Sequence, residues 1–374
     1  MASYSVMQSP PGPETVIDGI RYLYFGGTSY LGLAGHPEVI EAGCAAFRQF
    51  GVHAATSRTR FGASPPVLEV ERRAATFFGT EDAFYFGGGY HSSHILVEAV
   101  AADVDAVLLD DASHYSVAQA ALISAKPIVR YRHGDLADLA RLAASHARVL
   151  VMADGVSPAT GEPAPVREMI EVLGNRAGAT LVLDDAHGFG VLGGDGRGVL
   201  DAAQLWPHAN GGPAASGVIL CVGGTLSKAL GGHGGIIPGT RAFVARLSSR
   251  SSYLAGASAP AAAVAAASAR ALQLVVETPS LREGLKANVR FVRDGLRQMG
   301  LAVPDGESAH IGVSIGDADR MERIHIALKA QGVLVPYVTG YRGVAAEGLL
   351  RVAVFATHQR HQLERFLATL RTMI

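Results

Sequence analysis

The sequence predicts an α/β fold in which a mostly parallel central sheet carries helices on both faces. Its short apolar runs are continuous and do not alternate with polar residues, as in strands that are buried on both sides. These runs alternate along the chain with segments of helical periodicity, which favours parallel strands joined by right-handed crossovers. The chain also contains 45 glycines in 374 residues, which suits a compact protein with many tight turns.

The N-terminal part is predicted to form an arm, a strand and two helices. Residues 1–20 are rich in Pro and Gly, and residues 20–25 form a short strand. A helix begins near His36 and Pro37, because Pro favours the first helical positions. Its apolar residues are spaced for one helix face, namely Val39, Ile40, Ala45 and Phe47. A polar loop at 53–60 and a second amphipathic helix at 67–78 follow.

From residue 83 to residue 222, predicted strands and helices alternate. The strands are the apolar runs at 83–86, 106–109, 128–131, 149–152, 180–183 and 218–222. The helices that separate the first five strands lie at 89–100, 115–123, 136–144 and 166–173. Strands that alternate with helices in this way are typical of a parallel sheet.

Beyond the strand at 218–222 the pattern changes. Helices are predicted to about residue 300, and the remaining elements are strands at 311–315, 333–336 and 349–354 and helices at 320–331 and 361–373. We therefore predict three units, which are an N-terminal arm and strand (1–40), a large α/β domain (41–260) and a smaller α+β domain (261–374).

Composition and charge argue against several function classes. The formal net charge is -1, which does not favour nucleic acid or an anionic membrane as a partner. The apolar run at 253–276 contains Pro260 and Arg270 and is predicted to be a helix buried in a core or between subunits, not a membrane span. The first residues lack the basic-then-apolar pattern of a signal peptide, and Cys44 and Cys221 are predicted to be small core residues. We therefore expect a cytoplasmic protein.

Two common site motifs are disfavoured. Residues 188–193 match G-x-G-x-x-G after a strand, but the glycine-rich residues 194–198 do not suit the helix that a dinucleotide fingerprint requires. The histidines include His91, His94 and His114, but the sequence contains no H-E-x-x-H motif and no Cys/His cluster. No metal site is therefore predicted.

Lys228 is the residue around which the predicted site is organised. It lies in the glycine-rich stretch 223–232, just after an apolar strand, among small residues and hydroxyls. A lysine in such surroundings can have a lowered pKa and can attack a carbonyl as a nucleophile, forming a Schiff base. This stretch alone leaves open the alternative of an ordinary surface lysine.

Further polar features stand at the carboxyl ends of predicted strands, where open α/β sheets bind ligands. The three glycines at 87–89 let the backbone approach an anion beside a helix N-terminus. The other features, in chain order, are His114 at a helix start, Asp184 and Asp185 at a strand end, and Thr225 and Ser227 beside the lysine. Taken singly, each has an ordinary structural explanation, such as a plain turn or a capping histidine.

Taken together and in this order, these features predict a pyridoxal 5'-phosphate site. The glycine turn would receive the phosphate, and the flat ring of His114 would face the cofactor. A buried carboxylate needs a partner, and a protonated pyridine nitrogen would supply one while making the ring an electron sink. Lys228 would carry the aldehyde.

The segments resemble those of the α-oxoamine synthases, a branch of the fold type I pyridoxal phosphate enzymes. The matching segments span nearly the whole chain in the family's order: Ser-Tyr-Leu-Gly-Leu at 29–33, Gly89-Tyr90, Ser113-His114, Ala-Asp-Gly-Val at 153–156, Asp-Asp-Ala-His-Gly at 184–188, Thr-Leu-Ser-Lys-Ala-Leu-Gly at 225–231, Leu350-Arg351 and Thr357-His358. The resemblance implies a fold type I transferase with a mostly parallel central sheet and a smaller α+β C-terminal domain.

The resemblance also implies roles around the cofactor ring. Asp184, and not Asp185, would pair with the pyridine nitrogen. His187 would contact the ring hydroxyl oxygen, and His114 would stack on the ring face. Lys228 would hold the cofactor and, once free, would act as the base for the α-proton of the amino acid.

Phosphate and substrate contacts are implied in the same way. The amides of Gly89 and Tyr90 and the hydroxyl of Thr225 would hold the phosphate. Arg351 would bind the carboxylate of the amino acid, since Arg favours bidentate contacts with carboxylates. Thr28 stands where the family usually has an Asn that helps to hold this carboxylate.

Other departures from the family pattern also concern the surroundings of the substrate and the phosphate. Residues 157–161 read Ser-Pro-Ala-Thr-Gly where the family has Phe-Ser-Met-Asp-Gly. Gly256 and Ala257 replace a Ser-Thr pair that helps the partner subunit's phosphate site, and Pro65 replaces a His. The residues for cofactor chemistry survive these changes, whereas the identity of the substrate is left open.

The implied reaction is a decarboxylative, Claisen-type condensation of a small amino acid with an acyl thioester, which gives an α-amino ketone. The acyl group would be carried by coenzyme A or by a carrier protein. Family members are homodimers with the active site at the subunit interface. The alternatives are other fold type I chemistry, namely that of an aminotransferase, an aldolase or a decarboxylase, and a non-catalytic partner subunit of a heterodimer.

Overall fold

The computed structural model describes residues 4–174 and 178–374, so residues 1–3 of the predicted arm lie outside the described residues. The strands, in chain order, are β1 (Glu14–Ile17), β2 (Ile20–Tyr24), β3 (Asp82–Phe86), β4 (Ala106–Asp110), β5 (Ile128–Tyr131), β6 (Val149–Asp154), β7 (Thr180–Asp184), β8 (Ile219–Thr225), β9 (Gly235–Gly239), β10 (His310–Val313), β11 (Val333–Leu334), β12 (Tyr337–Val338) and β13 (Leu349–Ala353). The α-helices are α1 (Pro37–Phe50), α2 (Pro65–Phe78), α3 (Ser92–Val100), α4 (Tyr115–Ile123), α5 (Leu136–Ala143), α6 (Val166–Leu173), α7 (Val199–Ala202), α8 (Arg241–Arg250), α9 (Ala262–Glu277), α10 (Ser280–Arg297), α11 (Ala318–Ala330) and α12 (Arg360–Arg371).

The centre of the molecule is a seven-stranded sheet with the order β3-β9-β8-β7-β6-β4-β5. The strands from β8 to β5 run parallel to their neighbours, whereas β9 runs antiparallel to both β3 and β8. Successive residues of β4 belong to two separate hydrophobic clusters, since Leu108 lies in one and Val107 and Leu109 lie in the other. Both faces of the sheet are therefore covered, and the predicted mostly parallel α/β architecture is confirmed.

Two three-stranded sheets complete the fold. One is formed by β10, β13 and β12, which pair antiparallel. In the other, β2 from the N-terminal segment pairs antiparallel with β1 and parallel with β11. The N-terminal segment therefore adds strands to the C-terminal part of the chain, and the domain limits at residues 40 and 260 stay predictions.

Helix α1 buries only Val39 of the predicted apolar face. Ile40 and Phe47 are 48% and 51% exposed, and Cys44, which was expected in the core, is exposed as well. The inward stripe packs so closely on α9 that a Cβ atom on Gly43 would lie 3.3 Å from the carbonyl oxygen of Ala263. Small residues permit this close approach, and the larger apolar residues of α1 are left outside.

The apolar run at 253–276 is α-helical only in its second part, because α9 begins at Ala262. Gly256 has a φ of +75°, and Pro260 disfavours a helical conformation of the residue that precedes it. The polar loop predicted at 53–60 likewise contains a short π-helical turn, Arg58–Gly62. Within residues 4–174 and 178–374, no helix combines the length and the apolar character that crossing a bilayer requires.

The carboxyl ends of β6, β7 and β8 lie side by side, with Asp154 opposite Asp184 and Asp184 opposite Gly223. The two ends of the chain reach the same region, because the segment after β2 is hydrogen-bonded to the segment around β13. The Ala356 amide donates to the Tyr30 carbonyl oxygen at 2.7 Å. Side chains from distant parts of the sequence therefore converge on one edge of the sheet.

Candidate active site

A cavity of about 370 Å³ lies at the carboxyl edge of the central sheet. Its lining residues are Thr28, Gly89, Tyr90, His114, Ser116, Asp154, Pro158, Asp184, Ala186, His187, Thr225, Ser227 and Lys228. Every site residue predicted from the sequence except Arg351 belongs to this set. The structure therefore brings together residues that stand as far apart as positions 28 and 228.

Lys228 projects into this cavity from the glycine-rich turn that follows β8. Its Nζ atom lies 2.7 Å from Nε2 of His187. Burial lowers the pKa of Lys228 to about 8, and the positive charge of Arg351 acts in the same direction, while Asp184 opposes the shift. Near neutral pH, the unprotonated fraction of this amine is therefore far larger than that of an ordinary lysine. Nucleophilic attack on a carbonyl requires the unprotonated form.

His187 connects Lys228 to a residue from the N-terminal segment. Its Nδ1 atom lies 2.8 Å from the hydroxyl of Tyr30, while Nε2 faces Lys228. Burial lowers the pKa of His187 well below its ordinary value, and the nearby charge of Lys228 contributes to the shift. The imidazole is therefore neutral at physiological pH and has one donor and one acceptor nitrogen.

Asp184 ends β7 with its carboxylate buried and incompletely hydrogen-bonded. The contacts to this carboxylate are a hydrogen bond of 3.2 Å from the Ala186 amide and a long one of 3.5 Å from the Ser93 hydroxyl. Burial raises the pKa of Asp184, and the charge of Lys228 acts in the opposite direction. A buried carboxylate with weak donors fits a ligand that brings a strong N–H donor of its own.

Asp185 is adjacent in sequence but is absent from the cavity lining. Its Oδ2 atom accepts a hydrogen bond of 2.6 Å from the Val199 amide at the start of α7. Glycines surround the carboxylate so tightly that Cβ atoms on Gly188 and Gly198 would lie 2.0 Å and 1.8 Å from its oxygens. Burial raises the pKa of Asp185 to about 7, and the surroundings of this residue indicate a structural role.

His114 is held at the N-terminus of α4. Its backbone amide donates to Oδ2 of Asp154 at 2.7 Å, and its Nδ1 atom accepts from the Ser116 amide at 3.1 Å. These two contacts orient the ring beside the cavity. Burial lowers the pKa of His114, which favours the neutral imidazole there.

In the turn between β3 and α3, which forms a cradle at one edge of the cavity, the position of Gly89 fits only glycine. A Cβ atom on Gly89 would lie 2.5 Å from both Cβ and Oγ1 of Thr225. The Thr225 hydroxyl donates to the Gly234 carbonyl oxygen at 2.8 Å and accepts from the Ser227 amide at 3.0 Å. Amides in the first turn of a helix have no intrahelical acceptor, so this edge of the cavity suits an anion.

Arg351 does not line the cavity but contacts Pro158, which does. Its guanidinium donates to the carbonyl oxygens of Pro158 and Gly27 at 2.8 Å and 3.3 Å, and to the Tyr30 hydroxyl at 3.0 Å. Pro158 and Thr28, which follows Gly27, both line the cavity. The cation is therefore adjacent to the site, with three of its five N–H donors engaged.

Sequence reasoning did not assign a role to Asp154, Tyr30 or His310. Asp154 and Tyr30 lie in segments that match the family pattern, and the position of Asp154 at the end of an apolar strand was a further signal. His310 is an isolated histidine in β10, and its Nδ1 atom lies 3.2 Å from the Tyr30 hydroxyl. No local sequence feature identifies a residue that reaches the site from so far along the chain.

The polar groups around the cavity fit pyridoxal phosphate. A lysine with a lowered pKa suits an aldehyde, an incompletely hydrogen-bonded carboxylate suits a protonated ring nitrogen, and a glycine cradle with neighbouring hydroxyls suits a phosphate. In the described part of the chain, no group of three or more His, Cys, Asp and Glu side chains is arranged to hold a metal ion.

Sequence comparisons point to the same chemistry. The model of the family "Aminotransferase class I and II" matches residues 22–370. The chain is 34% identical over 367 residues to 8-amino-7-oxononanoate synthase of Pseudomonas entomophila, with 98% of this chain and 91% of that protein covered. It is 32% identical over 363 residues to the enzyme of the same name from Trichlorobacter lovleyi, covering 96% and 90%.

Solved structures agree with the sequence relatives. Serine palmitoyltransferase of Sphingomonas wittichii matches with a TM-score of 0.88 and 27% identity, covering 99% of this chain and 91% of that chain. A high-resolution structure of serine palmitoyltransferase with pyridoxal phosphate matches with a TM-score of 0.89 and 27% identity, covering 99% and 92%. The predicted fold type I architecture and the predicted cofactor are therefore confirmed.

Proposed function

Since the chain belongs to the aminotransferase class I and II family, and within it to the α-oxoamine synthases, we propose that the cavity around Lys228 holds both pyridoxal phosphate and the reacting amino acid. The chain is an acyltransferase that uses this cofactor to condense an amino acid with an acyl thioester. The observation that carries the assignment of the site is that Lys228, Asp184 and Gly89 line one cavity.

When bound, pyridoxal phosphate supplies an electron sink for the negative charge that develops at the α-carbon of the amino acid. Asp184 holds a proton on the pyridine nitrogen, and its scarcity of other donors supports this role. His114 would cover the ring face, and His187 would contact the ring hydroxyl oxygen.

The phosphate is held by the amides of Gly89 and Tyr90 and by the hydroxyl of Thr225. The close approach of Gly89 to Thr225 supports this assignment, because it brings the helix start and the hydroxyl to one point. The Thr225 hydroxyl proton, which is donated to Gly234, would be redirected toward a phosphate oxygen.

Lys228 performs two tasks in the proposed mechanism. Its amine would hold the cofactor by condensing with the aldehyde, with loss of water, and the amine of the incoming amino acid would displace it. The released Nζ removes the α-proton, for which a pKa of about 8 is well matched to neutral conditions.

Arg351 and Thr28 are proposed to bind the carboxylate of the substrate, with Arg351 using the N–H donors that its contacts to Pro158, Gly27 and Tyr30 leave free. Pro158 and Thr28 line this side of the cavity, and the proposed substrate is the small amino acid that the family resemblance implies. Loss of this carboxylate as carbon dioxide after acyl transfer would give an α-amino ketone.

A homodimer in the cytoplasm completes the proposal. Ile40 and Phe47 stand seven positions apart on one exposed face of α1, and Phe61 is 91% exposed. Large apolar side chains in such positions are typical of a surface that a second subunit covers. Two unpaired cysteines suit a reducing compartment.

Covalent trapping tests the site. The full-length protein is incubated with pyridoxal phosphate, reduced with borohydride and digested, and the modified residue is identified by mass spectrometry. We expect the label on Lys228 and its loss in Lys228→Ala, whereas Lys126→Ala, which removes a lysine outside the cavity, labels as the wild type does. A label on another lysine in the wild type would overturn the assignment.

The reaction is tested by thiol release. With an amino acid and an acyl-coenzyme A, we expect free coenzyme A to appear together with carbon dioxide. Turnover that instead requires a keto acid, and releases no thiol, would contradict the condensation and indicate an aminotransferase.

A further inference from the structure

We propose that His310, acting through Tyr30, sets the tautomer of His187, so that His187 presents a hydrogen-bond acceptor to Lys228 and to the hydroxyl of the bound cofactor. His310 is thereby a positioning residue, because it does not itself line the cavity. Its ring packs against that of His187, with centroids 4.7 Å apart, while its Nδ1 atom faces the Tyr30 hydroxyl. The part of this inference that concerns the cofactor rests on the proposed function, whereas the tautomer of His187 does not.

His310 is the member of the hydrogen-bond chain that is farthest from Lys228. Nε2 of His310 lies 2.9 Å from the carbonyl oxygen of Ser157. A carbonyl only accepts, so Nε2 carries the proton. His310 is fully buried, and burial, together with the charge of Arg351, lowers its pKa well below the ordinary value. The ring is therefore neutral, and its Nδ1 atom is a bare acceptor.

Tyr30 is the next member of the chain. Its hydroxyl lies 3.2 Å from Nδ1 of His310, 2.8 Å from Nδ1 of His187 and 3.0 Å from Nη2 of Arg351. Arg351 can only donate, so the single hydroxyl proton goes to one of the two histidines. The Tyr30 and His310 rings are nearly parallel, at 8° with centroids 6.1 Å apart.

One orientation of the Tyr30 proton satisfies every group. If the hydroxyl donates to His310, its oxygen accepts from Arg351 and from the protonated Nδ1 of His187. The opposite orientation leaves Nδ1 of His310 without a donor in a fully buried position, and an unsatisfied buried polar group is destabilising. The first orientation is therefore the stable one.

It follows that Nε2 of His187 is unprotonated and accepts from Nζ of Lys228, 2.7 Å away. When Lys228 holds the cofactor, Nε2 of His187 would accept a hydrogen bond from the ring hydroxyl of the cofactor, so that the proton stays on the hydroxyl oxygen. Arg351 bonds the same Tyr30 oxygen as His187, so the proposed carboxylate site and Lys228 share one hydrogen-bond chain.

The tautomers can be read directly by nitrogen NMR of full-length protein labelled with ¹⁵N-histidine. We expect the wild type to carry the His187 proton on Nδ1 and the His310 proton on Nε2. In His310→Leu the Tyr30 hydroxyl has no acceptor but His187, so the His187 proton should move to Nε2. His310→Gln offers both a carbonyl oxygen and an N–H group, and should restore the wild-type tautomer.

His358 provides a matched control. It is buried and hydrogen-bonded to the Phe355 amide and the Tyr24 carbonyl, as His310 is to its own partners, but it does not contact Tyr30 or His187. His358→Gln should leave the His187 signals where they are. Should His310→Leu fail to fold, Tyr30→Phe cuts the same chain and should give a mixture of His187 tautomers.

The holoenzyme supplies a second readout. The balance between the absorbance bands of the protonated and deprotonated ring hydroxyl should shift toward the deprotonated form in His310→Leu and return in His310→Gln. A wild-type His187 protonated on Nε2, or a tautomer unchanged in His310→Leu, would overturn the inference. Failure of borohydride trapping at Lys228 would instead overturn the proposed function and leave the tautomer result standing.

Discussion

Asp184 and Asp185 are adjacent in sequence, but their surroundings differ completely. Asp184 faces the cavity with weak donors around it, whereas Asp185 is enclosed by glycines and binds the start of α7. A strand turns successive side chains to opposite faces, and the turn after β7 preserves this separation. At the scale of single residues, the direction of a side chain thus decides which of two identical groups can meet the cofactor.

The two aspartates predict opposite outcomes for the same substitution. Asp184→Asn removes the negative charge that holds a proton on the ring nitrogen, so kcat should fall roughly 100-fold or more, as when a single electrostatic contact to a transition state is lost. Asp185→Asn retains an acceptor for the Val199 amide and should leave kcat close to that of the wild type. Steady-state kinetics of both variants, with matched cofactor loading, check this. Equal losses would contradict the assignment of Asp184.

Lys228 predicts a specific pH dependence. Its amine reacts only when unprotonated, and burial lowers its pKa to about 8, so the rate at which the cofactor-free protein captures pyridoxal phosphate should rise with pH and reach half its maximum near pH 8. Because the Arg351 charge also lowers this pKa, Arg351→Gln should move the midpoint to higher pH. Stopped-flow absorbance at a series of pH values measures both. A midpoint close to 10.5, the ordinary value for lysine, would contradict the buried amine.

At the scale of elements, the turn after β3 shows how a loop sequence prepares an anion site. Gly89 stands within contact distance of Thr225 at the end of β8, although β9 separates β3 from β8 in the sheet. The loop after β6 is held in a similar way, since a Cβ atom on Gly161, which has a φ of +80°, would lie 2.1 Å from the carbonyl oxygen of His310. Glycines therefore permit the loops to approach other elements closely enough to close the site.

Gly89→Ala tests the cradle. The added methyl group would collide with Thr225, and overpacking of this kind costs about 1–3 kcal/mol. When this destabilisation affects the cofactor-bound state and not the cofactor-free state, the affinity for pyridoxal phosphate drops roughly 5- to 150-fold. Gly87→Ala is the matched control, because a Cβ atom there meets no other atom within 4 Å. Fluorescence titration of the two variants gives the comparison, and equal affinities would contradict the cradle.

At the scale of the whole molecule, both ends of the chain contribute to the site. β2 pairs with β11, and the segment that follows β2 carries Thr28 and Tyr30 to the wall that Arg351 approaches from β13. The seven-stranded sheet supplies Asp184 and the turn of Lys228. The small sheets therefore do more than extend the fold, because they bring the proposed carboxylate site against the cofactor site.

The exposed face of α1 predicts a homodimer. We expect full-length protein to show about twice the mass of one 38.9 kDa chain in size-exclusion chromatography with light scattering. The double variant Ile40→Glu and Phe47→Glu should lower that mass to one chain, because it would bury two charges at the interface. Ile326→Glu changes an apolar residue of α11 that is also exposed, and should leave the mass unchanged. A wild type with the mass of one chain would contradict the prediction.

The local sequence predicted most of the central elements, but not β9, and not β1, which lies in the predicted arm. Continuous apolar runs predicted the buried strands, and the helix at 115–123 agrees with α4 at both ends. Lys228 and Asp184 were proposed because their motifs are short and follow strands, whereas the role of His187 came from the family resemblance. Such features depend on periodicity and on neighbours in the chain, which a sequence displays directly.

Tertiary structure alone decided the rest. The inward stripe of α1 depends on how closely Gly43 approaches α9, and periodicity cannot choose between two adjacent apolar stripes. Arg351, Tyr30 and His310 meet only because β13 and β10 pair with each other and because the segment after β2 bonds to the segment after β13. Contacts between residues some 300 positions apart arise from the packing of whole elements, and local sequence patterns carry no record of that packing.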